Sequence, residues 1–569
     1  MANEHPAFFG DDEDAHGHGD RVPPAEPGGI PADLLPYLDA ADEPDDAPDS
    51  DAPDDGPDPE AERAAALRAL VEHSLLVGPD PSILAEIDGD ADDDWDEDDA
   101  TTGEEPTGPS AHDRALDAAQ AAVALDARVD EIYQSIIDRA PEHRVQPSLD
   151  RVRTALDILG DPHTAYPAIH ITGTNGKTST ARMADALLTA FGMRVGRFTS
   201  PHLLDVRERI SLEGEPISRE GFIAAWEDVA PYISMADDAS TADGGPRLSF
   251  FEVFTVMAYA AFADYPVDAA VVEVGMGGQW DATNVLDAGV GVITPIGLDH
   301  TAWLGPTIAD IAREKAGIIA PGQITVIAEQ PDEALDVLLE RARRCDAIVR
   351  LEGRDYEVLD RQIGVGGQLV SIRTPAAVYE DVFIPLFGEH QARNAAAALV
   401  AVEAFMGGRA LDPRIVEQAM MTATSPGRLH VVRTSPTILV DAAHNPAGAR
   451  TLRGALDESF GFAHAVGVYS AMGDKDAEGV LAEVEPFLDH LVVTQMPGER
   501  AADVDDLRAV AEDVFGPDRV DVREGLADAV DRAAELAEAS TDPSDRSGVV
   551  VFGSVALAGQ MLALAGKRP

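Results

Sequence analysis

The hydrophobic positions of this chain change character along its length. Up to about residue 110 the chain is Asp- and Pro-rich, with runs such as Asp92-Asp93-Asp94 and Asp96-Glu97-Asp98-Asp99. From about His112 short apolar runs alternate with stretches of helical spacing, and after a break near Thr422–Pro426 the alternation resumes. Short apolar runs bounded by Gly, Pro and Asp read as buried strands, and apolar residues three or four apart read as helices packed on them. Strand and helix in regular alternation predict an α/β fold with parallel sheets.

Helices are predicted over Ala115–Ala140 and Ser148–Leu159, leading into a strand at Ala168–Ile171. A further helix carries Met183, Leu187, Leu188 and Phe191 on one face and stops at Gly192. Strands follow at Val195–Thr199, Asp268–Val274 and Gly291–Ile296, with helices at Phe250–Phe262 and Ile308–Ala316. Ile324–Ile327, Ala347–Leu351 and Glu357–Ile384 are β-rich, with a turn at Gly364–Gly367, and an Ala-rich helix is predicted over Ala395–Phe405. Strands at Ile438–Asp441, Ala465–Ser470, Leu491–Thr494, Val520–Val522 and Val549–Phe552 then alternate with helices as a second α/β unit. The expected organisation is an acidic extension (1–112), a larger α/β domain (113–424) and a smaller one (425–569). The extension has too little apolar surface to offset its ordering entropy and reads as disordered. Within it Ala61–Leu76 has the spacing of a short amphipathic helix.

The chemistry concentrates where strands end. AIHITGTNGKTS, Ala168–Ser179, is a strand, a Gly-containing loop and a helix start. Such a turn offers backbone N–H groups from Gly173, Thr174, Asn175 and Gly176 to an anion. Lys177 adds a point charge and the Thr178 hydroxyl can reach Mg²⁺. The loop is the shorter GTNGKT form: Ile171 stands where the common phosphate loop carries its first Gly. Ser200, Glu273 and His300 each follow or end a predicted strand, the edge at which open α/β sheets bind ligands. Hydroxyl and carboxylate suit Mg²⁺; imidazole is an unusual partner for it.

Charge narrows the field. The 569 residues carry 42 Lys and Arg against 104 Asp and Glu, a formal net charge of −62, and about half of it lies in the extension. Such a chain is a poor partner for nucleic acid or an anionic membrane, and phosphates bound to it need local neutralisation. Only four of the basic residues are Lys: Lys177, Lys315, Lys475 and Lys567. A chain that otherwise uses Arg keeps Lys where a compact ammonium or a free amine is needed. Lys567 lies in the tail; the other three call for a chemical role. The single cysteine, Cys345, excludes an internal disulfide. The opening MANEHPAFFGDDED has no basic and apolar signal pattern, and Phe250–Phe262 is too short to span a bilayer, so a cytoplasmic protein is expected.

GTNGKTS, TSPHL with RERI, EVGMGGQWDATN, LDHTAWLG, REKAGI, GEHQARNA, PGRLHVV, DAAHNP and MGDKD occur in an order that resembles folylpolyglutamate and dihydrofolate synthases of the Mur ligase superfamily. The resemblance covers roughly residues 113–569. It implies a phosphate-loop ATPase domain followed by a smaller Rossmann-like domain, ATP, Mg²⁺ at two sites, and a monomer. It implies an enzyme that adds L-glutamate to dihydropteroate and to reduced folates through an acyl phosphate. The alternatives are a folylpolyglutamate synthase alone, or a sister ligase acting on a cell-wall precursor. By the same resemblance Lys177 and Thr178 hold phosphates and metal, with Lys177, His300 and Lys315 as the catalytic set. Ser200, Glu273 and His300 ligate metal, and Lys315 is carbamylated and organises the second Mg²⁺. Asn394, Arg428, Asp441 and His444 contact the nucleotide, and Phe251 and Asp281 the pterin-bearing substrate. Gln279 stands where many relatives carry Arg, which predicts a lost positive charge at the substrate.

Overall fold

The computed structural model describes residues 111–139, 147–498, 500–539 and 546–567. The acidic extension and the helix expected at Ala61–Leu76 lie outside the described residues. β1 (Ala168–Thr172), β2 (Val195–Phe198), β3 (Ile210–Leu212), β4 (Glu215–Pro216), β5 (Ala269–Glu273), β6 (Val290–Ile293), β7 (Ile324–Ile327) and β8 (Ile348–Leu351) form one sheet, ordered β4-β3-β2-β5-β1-β6-β7-β8. Pairing is parallel from β2 to β8, and β3 and β4 are added antiparallel at the edge. β1, β5 and β6 are buried along their whole length, as strands covered by helices on both faces must be.

One face is covered by the helices Lys177–Ala190 and Glu389–Phe405 and the antiparallel strands β9 (Glu357–Gly364), β10 (Gly367–Arg373) and β11 (Val378–Ile384). The β-rich expectation for residues 357–384 is met by this three-stranded sheet. The other face carries the helices Arg219–Ala242 and Phe250–Asp264 and part of Ala111–Ile137.

The chain passes from the last helix of this lobe, Pro413–Met421, into β12 (His430–Thr434). β12 joins β13 (Thr437–Val440), β14 (His464–Tyr469), β15 (His490–Val493), β16 (Val520–Val522) and β17 (Ser547–Phe552) in the order β12-β13-β17-β14-β15-β16. Only β12 is antiparallel. The five strands expected from the pattern are present; β12 is an additional edge strand.

Topology places the chemistry. β1 has β5 on one side and β6 on the other, so the chain reverses direction across the sheet there. The register sets Ile171 opposite both Glu273 and Val292. The phosphate loop, the end of β5 and the segment after β6 therefore emerge side by side at the carboxyl edge. The segments after β13, β14 and β17 meet the same edge from the second lobe, where they line shared clefts.

Candidate active site

The loop after β1 is shaped by two glycines in the left-handed region, Gly173 at φ +149° and Gly176 at φ +91°. A Cβ on Gly173 would lie 1.8 Å from Thr294 Oγ1, and one on Gly176 would lie 2.6 Å from Asn394 Oδ1. Neither position tolerates a side chain. The amides expected to face an anion divide into two groups. Thr174 N and Asn175 N donate to Pro295 O at 3.0 and 3.3 Å, so they brace the loop against the segment after β6. The amides of the first turn of the Lys177–Ala190 helix, which have no intrahelical acceptor, remain for a ligand.

Lys177 Nζ donates to Gly173 O and Thr174 O, each at 3.2 Å. Burial lowers its pKa, against the opposing pull of Glu273 and Asp299. Thr178 Oγ1 donates to Glu273 at 2.9 and 3.0 Å, and Ser200 N reaches Glu273 Oε2 at 3.4 Å. Burial pushes the Glu273 carboxyl up, with Lys177 and Thr178 only partly offsetting it. A buried carboxylate facing a hydroxyl at a phosphate loop suits a hydrated divalent cation that takes its other ligands from water and phosphate. Among the described residues no three His, Cys, Asp or Glu side chains converge as a metal-binding group.

His300 sits in the left-handed region, φ +51°, where the chain turns into a short helix, Thr301–Leu304. Desolvation lowers its pKa to about 4, against the opposing effect of Asp299, although its side chain is 37% exposed. Lys315 ends the helix Ile308–Lys315 and is buried, with Nζ 2.7 Å from Gly173 O. Burial, reinforced by the neighbouring Lys177 charge, brings its pKa down to about 7. Gly278 lets this helix close on the β5 loop: its Cβ would lie 2.7 Å from Glu314 O. Gly275 is equally committed, since its Cβ would lie 2.4 Å from Phe251 Cζ. The loop's glycines make room for the protein's own ring and helix.

Two clefts meet at this edge. One, of about 490 Å³, is lined by the phosphate loop, Glu273, Lys315, Asn394, Arg428 and Asp441. The other, of about 770 Å³, is lined by Phe251, Trp280, Asp281, Trp303, Met472 and Arg500 among others. They share Ser200, Pro201, Gly275, Met276, His300, His444 and Val555.

Asn394 lies inside the helix Glu389–Phe405, not ahead of it as the sequence pattern placed it. Gly388 turns the chain at φ +90°, so the polar Glu389–Asn394 segment forms the first helical turns. Asp441 is buried and accepts from Leu429 N at 2.9 Å and Ala443 N at 2.8 Å, which ties the loop carrying Arg428 to the end of β13. Asp281 accepts from Met276 N at 2.9 Å and Thr283 N at 3.0 Å, so it also shapes its own loop. Gln279 is exposed and lines neither cleft, and its backbone N donates to Glu314 O at 2.8 Å.

Two residues were not assigned to the site from sequence. Asp299, beside His300, takes Lys475 Nζ at 2.6 Å, His444 Nε2 at 3.2 Å and Asn445 Nδ2 at 3.2 Å. Burial favours its neutral form, but the His444 bond and the charges around it hold the carboxyl well below the usual range. Lys475 had been marked by the scarcity of Lys. Asp299 carried no such signal.

Family models match the two lobes: "Mur ligase middle domain" over residues 239–402 and "Mur ligase, glutamate ligase domain" over residues 427–555. The fold and site are those of an ATP-dependent ligase of the Mur type. The dihydrofolate synthase/folylpolyglutamate synthase of Mycobacterium tuberculosis is 50% identical over 458 residues, covering 77% of this chain and 94% of the relative. That of Bacillus subtilis is 34% identical over 376 residues, covering 65% and 85%. The structure of Mycobacterium tuberculosis folylpolyglutamate synthase complexed with ADP and AMPPCP aligns with a TM-score of 0.75 at 48% identity, over 78% of this chain and 100% of that one. The E. coli FolC complex with DHPP and ADP aligns with a TM-score of 0.66 at 26% identity, over 77% and 97%. The chain belongs to the dihydrofolate synthase/folylpolyglutamate synthase family and is an ATP-dependent ligase that joins glutamate to folates. Among the described residues no helix is long and apolar enough to cross a membrane.

Proposed function

We propose that this enzyme is bifunctional, adding L-glutamate both to dihydropteroate and to reduced folates, with ATP in the smaller cleft and the pterin-bearing acceptor in the larger. The observation that carries the reading is the shared wall: Ser200, His300 and His444 line both clefts, so a terminal phosphate in one can meet a carboxylate in the other. The acceptor carboxylate oxygen attacks the γ-phosphorus and ADP leaves. The glutamate amine then attacks the acyl carbon, inorganic phosphate leaves and an amide remains. The larger cleft offers Phe251, Trp280 and Trp303 as flat apolar surface for a pterin and benzoyl ring.

Gly173 to Thr178 and the helix start bind the phosphates, and Lys177 supplies positive charge where it accumulates in phosphoryl transfer. Asn394, Arg428, Asp441 and His444 line the nucleotide side, and Phe251 and Asp281 the acceptor side. Thr178, Ser200, Glu273 and His300 are the residues that would hold Mg²⁺, with Lys315 as a carbamate organising a second ion. When bound, Mg²⁺ supplies charge neutralisation on the phosphate oxygens. The lowered pKa of Lys315 supports the carbamate, because only a neutral amine attacks CO₂, losing one proton as the N–C bond forms. The same reading has the enzyme act as a monomer.

The test is ADP release with Mg-ATP and L-glutamate, measured separately with dihydropteroate and with tetrahydrofolate. Release with both acceptors is expected. Release with tetrahydrofolate alone would leave a monofunctional folylpolyglutamate synthase, and release with neither would overturn the reading.

A further inference from the structure

Asp299 lies between the lobes, not inside one. Its side chain is 8% exposed and that of its partner Lys475 10%. Lys475 belongs to the loop after β14, while His444 and Asn445 follow β13, so these three partners come from the second lobe, while Asp299 Oδ1 also accepts from His300 N of its own loop at 2.8 Å. Asn445 is anchored in its own lobe, where it caps the helix Pro446–Ser459 by accepting from Gly448 N at 2.8 Å. It also donates to Asn175 Oδ1 of the phosphate loop at 3.1 Å and accepts from Asn175 Nδ2 at 3.3 Å. A continuous polar chain, Asn175–Asn445–Asp299–Lys475, therefore crosses the seam. Asp299 lines the nucleotide cleft and Lys475 the acceptor cleft.

We infer that Asp299 and Lys475 are a pair of positioning residues that latch the lobes across the junction of the two clefts and keep water from the activated acceptor. This rests on the ligase reading above. An acyl phosphate has two possible fates. Attack by the glutamate amine yields amide and inorganic phosphate. Attack by water regenerates the carboxylate and releases the same phosphate, the water's oxygen entering the carboxyl and its protons passing to phosphate and solvent. Exclusion of water, together with placement of the amine, separates these outcomes. Asp299 spreads its two oxygens over three second-lobe donors and ties them, through Asn445, to the loop that binds phosphate. Losing either charge leaves the other buried without its partner and loosens the lobes where they face the acceptor.

The readout is the ratio of ADP released to amide formed, which a general weakening of the fold would leave unchanged. Lys475→Met and Asp299→Asn are each expected to raise the ratio at least about threefold over the unsubstituted enzyme. The double variant should be no worse than the poorer single one, because both remove the same contact. Lys475→Arg keeps the cation and should hold the ratio within about twofold. An unchanged ratio in the single variants, multiplying effects in the double, or a ratio in Lys475→Arg equal to that in Lys475→Met would each overturn the latch. Absence of glutamate-dependent ADP release by the unsubstituted enzyme would instead overturn the ligase reading of the site.

Discussion

Replacing Lys177 with Ala should lower kcat/KM for ATP by about 10²–10³-fold, the range seen when one preorganised group that stabilises developing charge is removed. Lys177 is the first residue of the helix that opens on the phosphate loop, and its ammonium lies against the carbonyls of Gly173 and Thr174. Nothing replaces its reach toward the nucleotide. Lys315 Nζ bonds the same Gly173 carbonyl, but from the end of a different helix. The Arg variant should also fail. A planar guanidinium does not reproduce the compact ammonium that lies against the carbonyls of Gly173 and Thr174. Initial rates of ADP release, with a thermal melt to show that the fold persists, check this. A loss below tenfold in a folded Lys177→Ala protein would remove Lys177 from the chemistry.

Substitution of Lys315 by Arg should be nearly as damaging, about 10²-fold or more in kcat, on the premise that an organising carboxylate-like group is lost where charge develops. The basis is the amine itself. At a pKa of about 7, half of the Lys315 side chains are neutral at pH 7, against roughly one in three thousand for an ordinary lysine. The sign follows directly. Below pH 7 the amine is protonated and cannot take up CO₂; above it the neutral fraction and the carbamate grow. Activity of the unsubstituted enzyme should therefore rise between pH 6 and 8, fall in CO₂-depleted buffer and return on adding bicarbonate. Lys315→Arg should respond to neither, because its guanidinium stays protonated. Rates for both proteins with and without bicarbonate decide it. Full activity of Lys315→Arg at ambient CO₂ would eliminate the carbamate.

Much of this site was legible because its residues are local to strand ends. The run Ala168–Ser179 holds strand, loop and helix start within a dozen positions, and β5 ends in Glu273 with no polar residue before it in the strand. Burial on both sheet faces writes such strands as apolar runs, so an acid at the end stands out. Helix starts were less legible: Glu389–Asn394 is polar because it borders a cleft, so the pattern began the helix at Ala395 instead of Glu389. The latch was not legible at all. Asp299 and Lys475 are 176 positions apart, and an acid in a polar loop is ordinary until the second lobe is placed against it. Arg428 and Asp441 illustrate the same limit. They were assigned by resemblance, while the structure adds that Asp441 braces the loop from which Arg428 projects, through the amide of Leu429 held at φ +43°.

In the proposed mechanism the acceptor carboxylate takes the terminal phosphoryl group of ATP where the two clefts meet. Transfer of ¹⁸O tests it most directly. Dihydropteroate labelled with ¹⁸O in its carboxylate is turned over with Mg-ATP and L-glutamate, and the inorganic phosphate is analysed by mass spectrometry. Attack by a carboxylate oxygen on the γ-phosphorus carries that oxygen into phosphate when the amine displaces it, so one ¹⁸O per phosphate, matched to each amide formed, is the predicted result. Amide formation with unlabelled phosphate would contradict the account, since the carboxylate would then have been activated without bonding to phosphorus.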